Sequence, residues 1–141
     1  MLTAPWIAIK SGNLTFENGN DIIFKQDGVV PPRLASGGSD WDLADIASEV
    51  VPTDFHVFIL LYLSWNEVTQ AFEYTVEKTP NIADTELIDL KDVEIDDEHK
   101  ALAGVVFLSN QTGSDFVPWT TALNTANLEV RIIDAYGFVG K

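Results

Sequence analysis

Between Ala83 and Lys100 the chain concentrates its carboxylates: Asp84, Glu86, Asp89, Asp92, Glu94, Asp96, Asp97 and Glu98. Oxygen donors at this density are the chemistry of a hard cation such as Ca²⁺. The stretch lacks the glycine and the ligand spacing of an EF-hand loop. Val93 and Ile95 alternate with Asp92, Glu94 and Asp96. That period suits a solvated edge strand with its acids outward, where charge discourages sheet-to-sheet aggregation. The edge-strand reading is preferred, and no metal site is expected. His56 and His99 are the two histidines. His56 opens an apolar run and His99 lies among the acids, where pairing with neighbouring carboxylates is expected. Neither spacing fits a catalytic triad or a zinc site. The chain has no cysteine. Thiolate catalysis, disulfides and cysteine-based zinc sites are therefore excluded. Gly37-Gly38 follows no strand and opens no clear helix, so it is not a phosphate loop. Two of the 22 acids could meet as a glycosidase pair, yet none stands out. The residues predict no enzyme and no cofactor.

The remaining candidates are aromatic. Trp41, Trp65, Trp119 and Tyr136 lie in or beside expected loops. A ring on a loop can stack on a sugar or anchor a protein interface. The same ring can instead cap the core at the end of a sheet, and that plainer role is favoured for any one of them. Asn13-Leu14-Thr15 and Asn110-Gln111-Thr112 match the N-glycosylation pattern. The opening Met1-Leu2-Thr3-Ala4-Pro5-Trp6 has no basic region followed by an apolar segment. No secretory leader is expected, and the two sequons read as chance matches.

The elements that must position these residues are organised by Phe55 to Val76. Phe55 to Trp65 is almost unbroken apolar and rich in β-branched and aromatic residues. With Pro52 before it and a polar turn, Asn66 to Gln70, after it, it reads as a strand buried on both faces. Phe72, Tyr74 and Val76 then alternate with Ala71, Glu73, Thr75 and Glu77, the period of a half-buried strand. Together they predict a long hairpin with a central first arm. Ala101 to Ser109 is a second buried strand, in which Gly104 marks close packing or a bulge. Leu128 to Asp134 is a last strand, followed by a tail. Upstream, Trp6–Ile9, Leu14–Phe16 and Asp21–Lys25 form a meander with turns at Ser11-Gly12-Asn13, Asn18-Gly19-Asn20 and Gln26-Asp27-Gly28. Residues 29–40 are loop-rich, with Pro31-Pro32 and Gly37-Gly38. Trp41 to Val51 reads either as a short helix capped by Ser39 or as a strand ended by Pro52, with strand preferred. Leu87 to Leu90 is a short strand or a tight helical turn.

The whole predicts one all-β domain over residues 1–141, an antiparallel, jelly-roll-like β-sandwich or a partly closed barrel. Its expected core is Val57, Ile59, Leu61, Leu63, Val106, Leu108 and Ile132. Hydrophobic residues make up 46% of the chain, enough to fold, and the apolar run at Phe58 is too short to span a bilayer. The net charge of −14 repels phosphate backbones and anionic membranes. Neither nucleic acid nor membrane is an expected partner.

Val51-Pro52-Thr53, Val57 to Leu63, Phe72 to Val76, Thr79-Pro80 and Lys100 to Val106 follow one another in a recognisable order. The order resembles a β-hairpin module of tailed-bacteriophage virion proteins: tail fibres, tail-tip or baseplate proteins and head fibres. There a proline turn leads into an aromatic-rich strand, a turn, a Thr-rich strand, a second proline and a final strand. The resemblance covers residues 50–108, and the stretch from Ala83 to Glu98 is longer than the pattern. It implies a non-enzymatic structural or accessory virion protein, made in the host cytoplasm. Such a protein acts through other virion proteins, as a homo-oligomer, and in host attachment. A small module that binds a host surface glycan is the alternative from another class. No catalytic residue carries over.

Overall fold

Phe55–Asn66 (β4) and Ala71–Lys78 (β5) form the long antiparallel hairpin, in register from Ile59↔Lys78 to Asn66↔Ala71. The computed structural model that shows this describes residues 7–86, 93–94 and 101–134. The turn is closed by the Asn66 side chain, whose Oδ1 accepts from the backbone N–H of Val68 and Thr69 at 2.9 and 3.1 Å. On its other side β4 pairs along most of its length with Ala101–Asn110 (β7), so it is flanked on both edges. This explains its nearly continuous apolar run. Val57, Ile59, Leu61 and Leu63 enter the main core, while Phe58, Leu60 and Tyr62 form a second cluster on the opposite face with Leu102, Val105 and Val93. A strand wet on neither face has no need to alternate.

Leu128–Asp134 (β8) pairs with β7, and Ile82–Ala83 (β6) pairs with the start of β4. The larger sheet thus has five strands, in the order β5-β4-β7-β8 with β6 beside β4. Gly104 serves both purposes expected of it. The β4–β7 register shifts there, with Leu61 opposite Gly104 and Tyr62 opposite Leu102. A Cβ on Gly104 would lie 2.7 Å from Cγ1 of Ile7, so glycine also admits the other sheet.

That other sheet is the meander β1-β2-β3: Ile7–Ile9, Thr15–Asn18 and Trp41–Asp42, all antiparallel. It lies over the larger one, β1 towards β8 and β3 towards β5. Ile7, Phe16 and Trp41 share one core with Val57, Ile59, Leu61, Leu63, Val106 and Leu108, against which Ile132 is partly buried. The protein is all-β, two antiparallel sheets that do not close into a barrel. At roughly 25 cal/mol per Å² of apolar surface, this shared core is the main stabilising term.

Two local expectations are corrected. The segment Asp21 to Lys25 does not pair back on β2. Asn18 is fully buried and polar, and is used as a node rather than a turn residue. Its Nδ2 donates to the carbonyls of Asn20 and Ala35, and its Oδ1 accepts from the Ser39 N–H and hydroxyl. Those bonds draw residues 35–39 to the end of β2, so the neighbour of β2 is Trp41–Asp42, and Ile22 bridges Leu34 instead. The turn at Asp27-Gly28 does form, with φ of 51° and 83° and reciprocal bonds between Gln26 and Val29. The second correction concerns Trp41 to Val51. It is neither a continuous strand nor a helix capped by Ser39. After two strand residues comes a 3₁₀ turn, Leu43–Ile46, whose cap is Asp42, accepting from the Ala44 N–H at 2.8 Å. Ser39 is unavailable as a cap because Asn18 holds its hydroxyl.

Candidate functional site

The four aromatic candidates separate. Trp41 is fully buried: its Nε1 donates to the Tyr62 carbonyl at 2.7 Å, and its ring meets Tyr74 edge-on at 5.7 Å. It belongs to the core and presents no surface to a partner, a correction to its candidacy. Trp65 is also buried, packed edge-on against Phe72 at 4.9 Å. Its backbone is bracketed by the amide of Gln26, which accepts from the Trp65 N–H and donates to its carbonyl. Trp65 therefore closes the end of the core where β4 stops. Tyr136 lies outside the described residues. Trp119 alone of the three described stands out from the surface, 43% exposed.

Trp119 is held there by its loop. Phe116 is buried in the core and bridges Val51 through both backbone bonds. Pro118 is buried too. The Val117 carbonyl accepts from the N–H of Thr120 and Thr121, and the Thr121 hydroxyl accepts from the Val117 N–H at 2.9 Å. Beyond the turn, Leu123 is buried and donates its N–H to the Asn13 carbonyl at 2.7 Å. Both legs are therefore fastened to the sandwich. Between them Trp119 has φ of 73°, the left-handed region that a bulky side chain disfavours. Strain of this kind, on the order of 1–3 kcal/mol, persists where the surroundings impose it and concentrates at binding sites.

At the start of β4 lies a polar cluster that the sequence does not announce. His56 is buried, and its Nδ1 is 2.8 Å from Oδ1 of Asp84. Asp84 Oδ2 accepts from the Gln111 side chain, and the Asp84 N–H donates to the Asp54 carbonyl. The imidazole rests against Phe107, with ring centres 5.4 Å apart. A carboxylate-oriented imidazole is half of a general base. Here it is walled by an aromatic ring, and its carboxylate also receives an amide. Its evident work is to fasten the segment after β6 to the start of β4. His56 and Asp84 are 28 residues apart, and only the pairing of β6 with β4 brings them together.

Of the acidic stretch, Asp84, Glu86 and Glu94 fall within the described residues; Asp89, Asp92, Asp96, Asp97, Glu98 and His99 lie outside them, as do Leu87 to Leu90 and Ile95. Val93 is buried and Glu94 exposed, and neither lies in a strand. Among the described residues no group of three acids or histidines is placed to hold a metal ion. No helix among them is long and apolar enough to cross a membrane. No known family, curated protein or solved structure matches the chain.

Proposed function

We propose that the protein acts without catalysis, as a structural or accessory component of a tailed-bacteriophage virion, through assembly with other virion proteins and with copies of itself. The observation that carries the assembly reading is Trp119: a large ring held out at a disfavoured backbone angle by a loop fastened at both legs. Rigid exposed aromatics are the usual anchors of protein interfaces, because they bury much area for little loss of side-chain freedom. The virion setting is supported by the resemblance of residues 50–108 to phage hairpin modules. The acidic surface fits the same role, since repulsion suppresses wrong contacts while an uncharged anchor makes the right one.

A second reading is favoured by the same ring. An exposed indole face can stack on a sugar, which would make the loop a contact for a host surface glycan. Mass spectrometry of purified particles carrying either the wild-type chain or Trp119→Ala tests the assignment. The wild-type chain is expected in the particle, with its occupancy reduced by the substitution. Absence of the wild-type chain from particles overturns the virion reading. Glycan-array binding by an isolated monomer, lost in Trp119→Ala, would favour the second.

A further inference from the structure

We propose that β8 is a self-pairing edge: two copies of the chain join antiparallel about a two-fold axis through Val130, continuing the larger sheet from one protomer into the next. The proposal rests on the reading of the protein as a self-assembling subunit and names the surface and the partner.

β8 is the last strand in its sheet, and no further described strand pairs with it. Its backbone groups follow the alternation of an antiparallel ladder. The Gln111 N–H donates to the Asn127 carbonyl at 3.0 Å, one step before the pair Asn110↔Leu128. Alternation then turns the backbone groups of Glu129 and Arg131 towards β7, and those of Val130 and Ile132 away from it, into the open edge. The other side of the strand is equally regular. Leu128, Val130 and Ile132 pack on the main core, whereas Glu129 and Arg131 lie on the opposite face and are exposed.

The sequence of this edge is complementary to itself. Read outward from Val130, Leu128-Glu129-Val130-Arg131-Ile132 places Glu129 of one copy opposite Arg131 of the other, twice, and Leu128 opposite Ile132, twice. Every apolar residue meets an apolar one and every charge its opposite. The ladder agrees with the charges. Pairing Val130 with its symmetry mate uses the N–H and carbonyl that face outward. This makes Glu129↔Arg131 a non-hydrogen-bonded pair, the kind that brings side chains closest. In the isolated protomer the same two charges have each other: Arg131 Nη2 lies 3.1 Å from Glu129 Oε2, both well exposed. Such a surface pair contributes little by itself. A two-fold axis exchanges it for two pairs between copies, and an isologous dimer is the commonest closed assembly. A foreign strand would have to offer opposite charges at the same spacing, so the arrangement also rejects unrelated edges.

Charge reversal tests this with variants that leave the core untouched. Arg131→Glu puts two acids at the edge and Glu129→Arg puts two bases there. Either alone sets like charges opposite one another at both symmetric positions. Sedimentation velocity over a range of concentrations, at near-physiological salt, should show a dimer for the wild type. Each single variant should dissociate with an affinity weaker by roughly tenfold or more. An equimolar mixture of the two variants, and the double variant Glu129→Arg/Arg131→Glu, should dimerise again, since opposite charges face each other in both. Thermal melts of the variants show whether each is folded. A wild type that stays monomeric at all concentrations overturns the proposal. So does an oligomer indifferent to both single reversals, but that result leaves the assembly reading standing on another surface. Failure of the assembly reading itself is seen separately, as absence of the chain from particles.

Discussion

The two edges of the larger sheet are finished in different ways. The β5 strand is packed against the smaller sheet. The 3₁₀ turn Leu43–Ile46 and β3 lie against it, Trp41 meets Tyr74 edge-on, and the Tyr74 hydroxyl donates to the Gly38 carbonyl at 3.2 Å. The chain after β5 is fastened too, with Asn81 Nδ2 donating to the Val50 carbonyl at 2.9 Å. Among the described residues no strand pairs with the outer edge of β8, and β1 is the element of the smaller sheet nearest to it. An open edge is a template for another strand, and proteins usually blunt it with proline, lysine or a bulge. From Leu128 to Asp134 there is no proline, lysine or bulge, only one acid and one base on either side of a valine before the final Asp134. Both β5 and β8 end the sheet, but β5 is packed against the protein's own small sheet and 3₁₀ turn, whereas β8 is left with a pattern that fits itself. Under the proposed self-pairing of β8, stability and assembly would lie at opposite sides of one sheet.

The comparison breaks most visibly at Trp41. Trp41→Ala removes the fully buried ring that ties β3 to β4 and β5, and also its bond to the Tyr62 carbonyl. A loss of about 3–5 kcal/mol is expected, read as a lower midpoint in chemical denaturation. A loss below about 1 kcal/mol would mean that Trp41 does not fasten the small sheet to β4 and β5. Next is Gly104→Ala, on the β8 side. The new methyl must displace Cγ1 of the buried Ile7, and the expected cost is about 1–3 kcal/mol. Combined with Ile7→Ala, whose own cavity is costly, the two losses should be less than additive in a double-mutant cycle, because Ile7→Ala removes the atom that clashes.

A smaller effect sharpens the contrast through pH. Burial, and then the nearby Asp40 carboxylate, raise the Tyr74 hydroxyl above its ordinary value of 10.0. The folded state therefore keeps the proton after the unfolded chain has lost it, so stability falls as pH rises above 10.0. Burial lowers the Lys78 ammonium from 10.5, with Glu49 acting in the opposite direction. Its folded form gives up the proton first, so between that lowered value and 10.5 stability rises with pH. The two oppose each other on one edge. In Tyr74→Phe only the lysine remains, and its melting temperature should fall less steeply at alkaline pH than that of the wild type. Identical pH profiles would show that the smaller sheet does not bury Tyr74.

Much of the fold was legible because it rests on local pattern. The unbroken run in β4 announced a strand covered on both faces, and the alternation in β5 announced one wet face. Gly104 inside an apolar run signalled the close approach of another element. What escaped was long-range. Asn18-Gly19 has turn chemistry, yet bonds to Ala35 and Ser39 bury Asn18 and send the chain elsewhere. His56 and Asp84 meet only because β6 lies beside β4. The aromatic residues were recognisable by type, but exposure depends on which sheet covers them: Trp41 and Trp65 went into the core and Trp119 did not. That β8 ends the sheet among the described residues was invisible for the same reason. Leu128 to Ile132 reads as any amphipathic strand until the strand order shows that nothing described lies beyond it.

The central claim is that the outward backbone groups of β8 are a contact between copies. Hydrogen exchange at the amides of Val130 and Ile132 tests it most directly, measured in dilute and in concentrated protein. The prediction is slow exchange at high concentration, faster exchange on dilution, and fast exchange at both concentrations in Arg131→Glu. Rates at these two amides that do not change with concentration, and match those of Arg131→Glu, would contradict it.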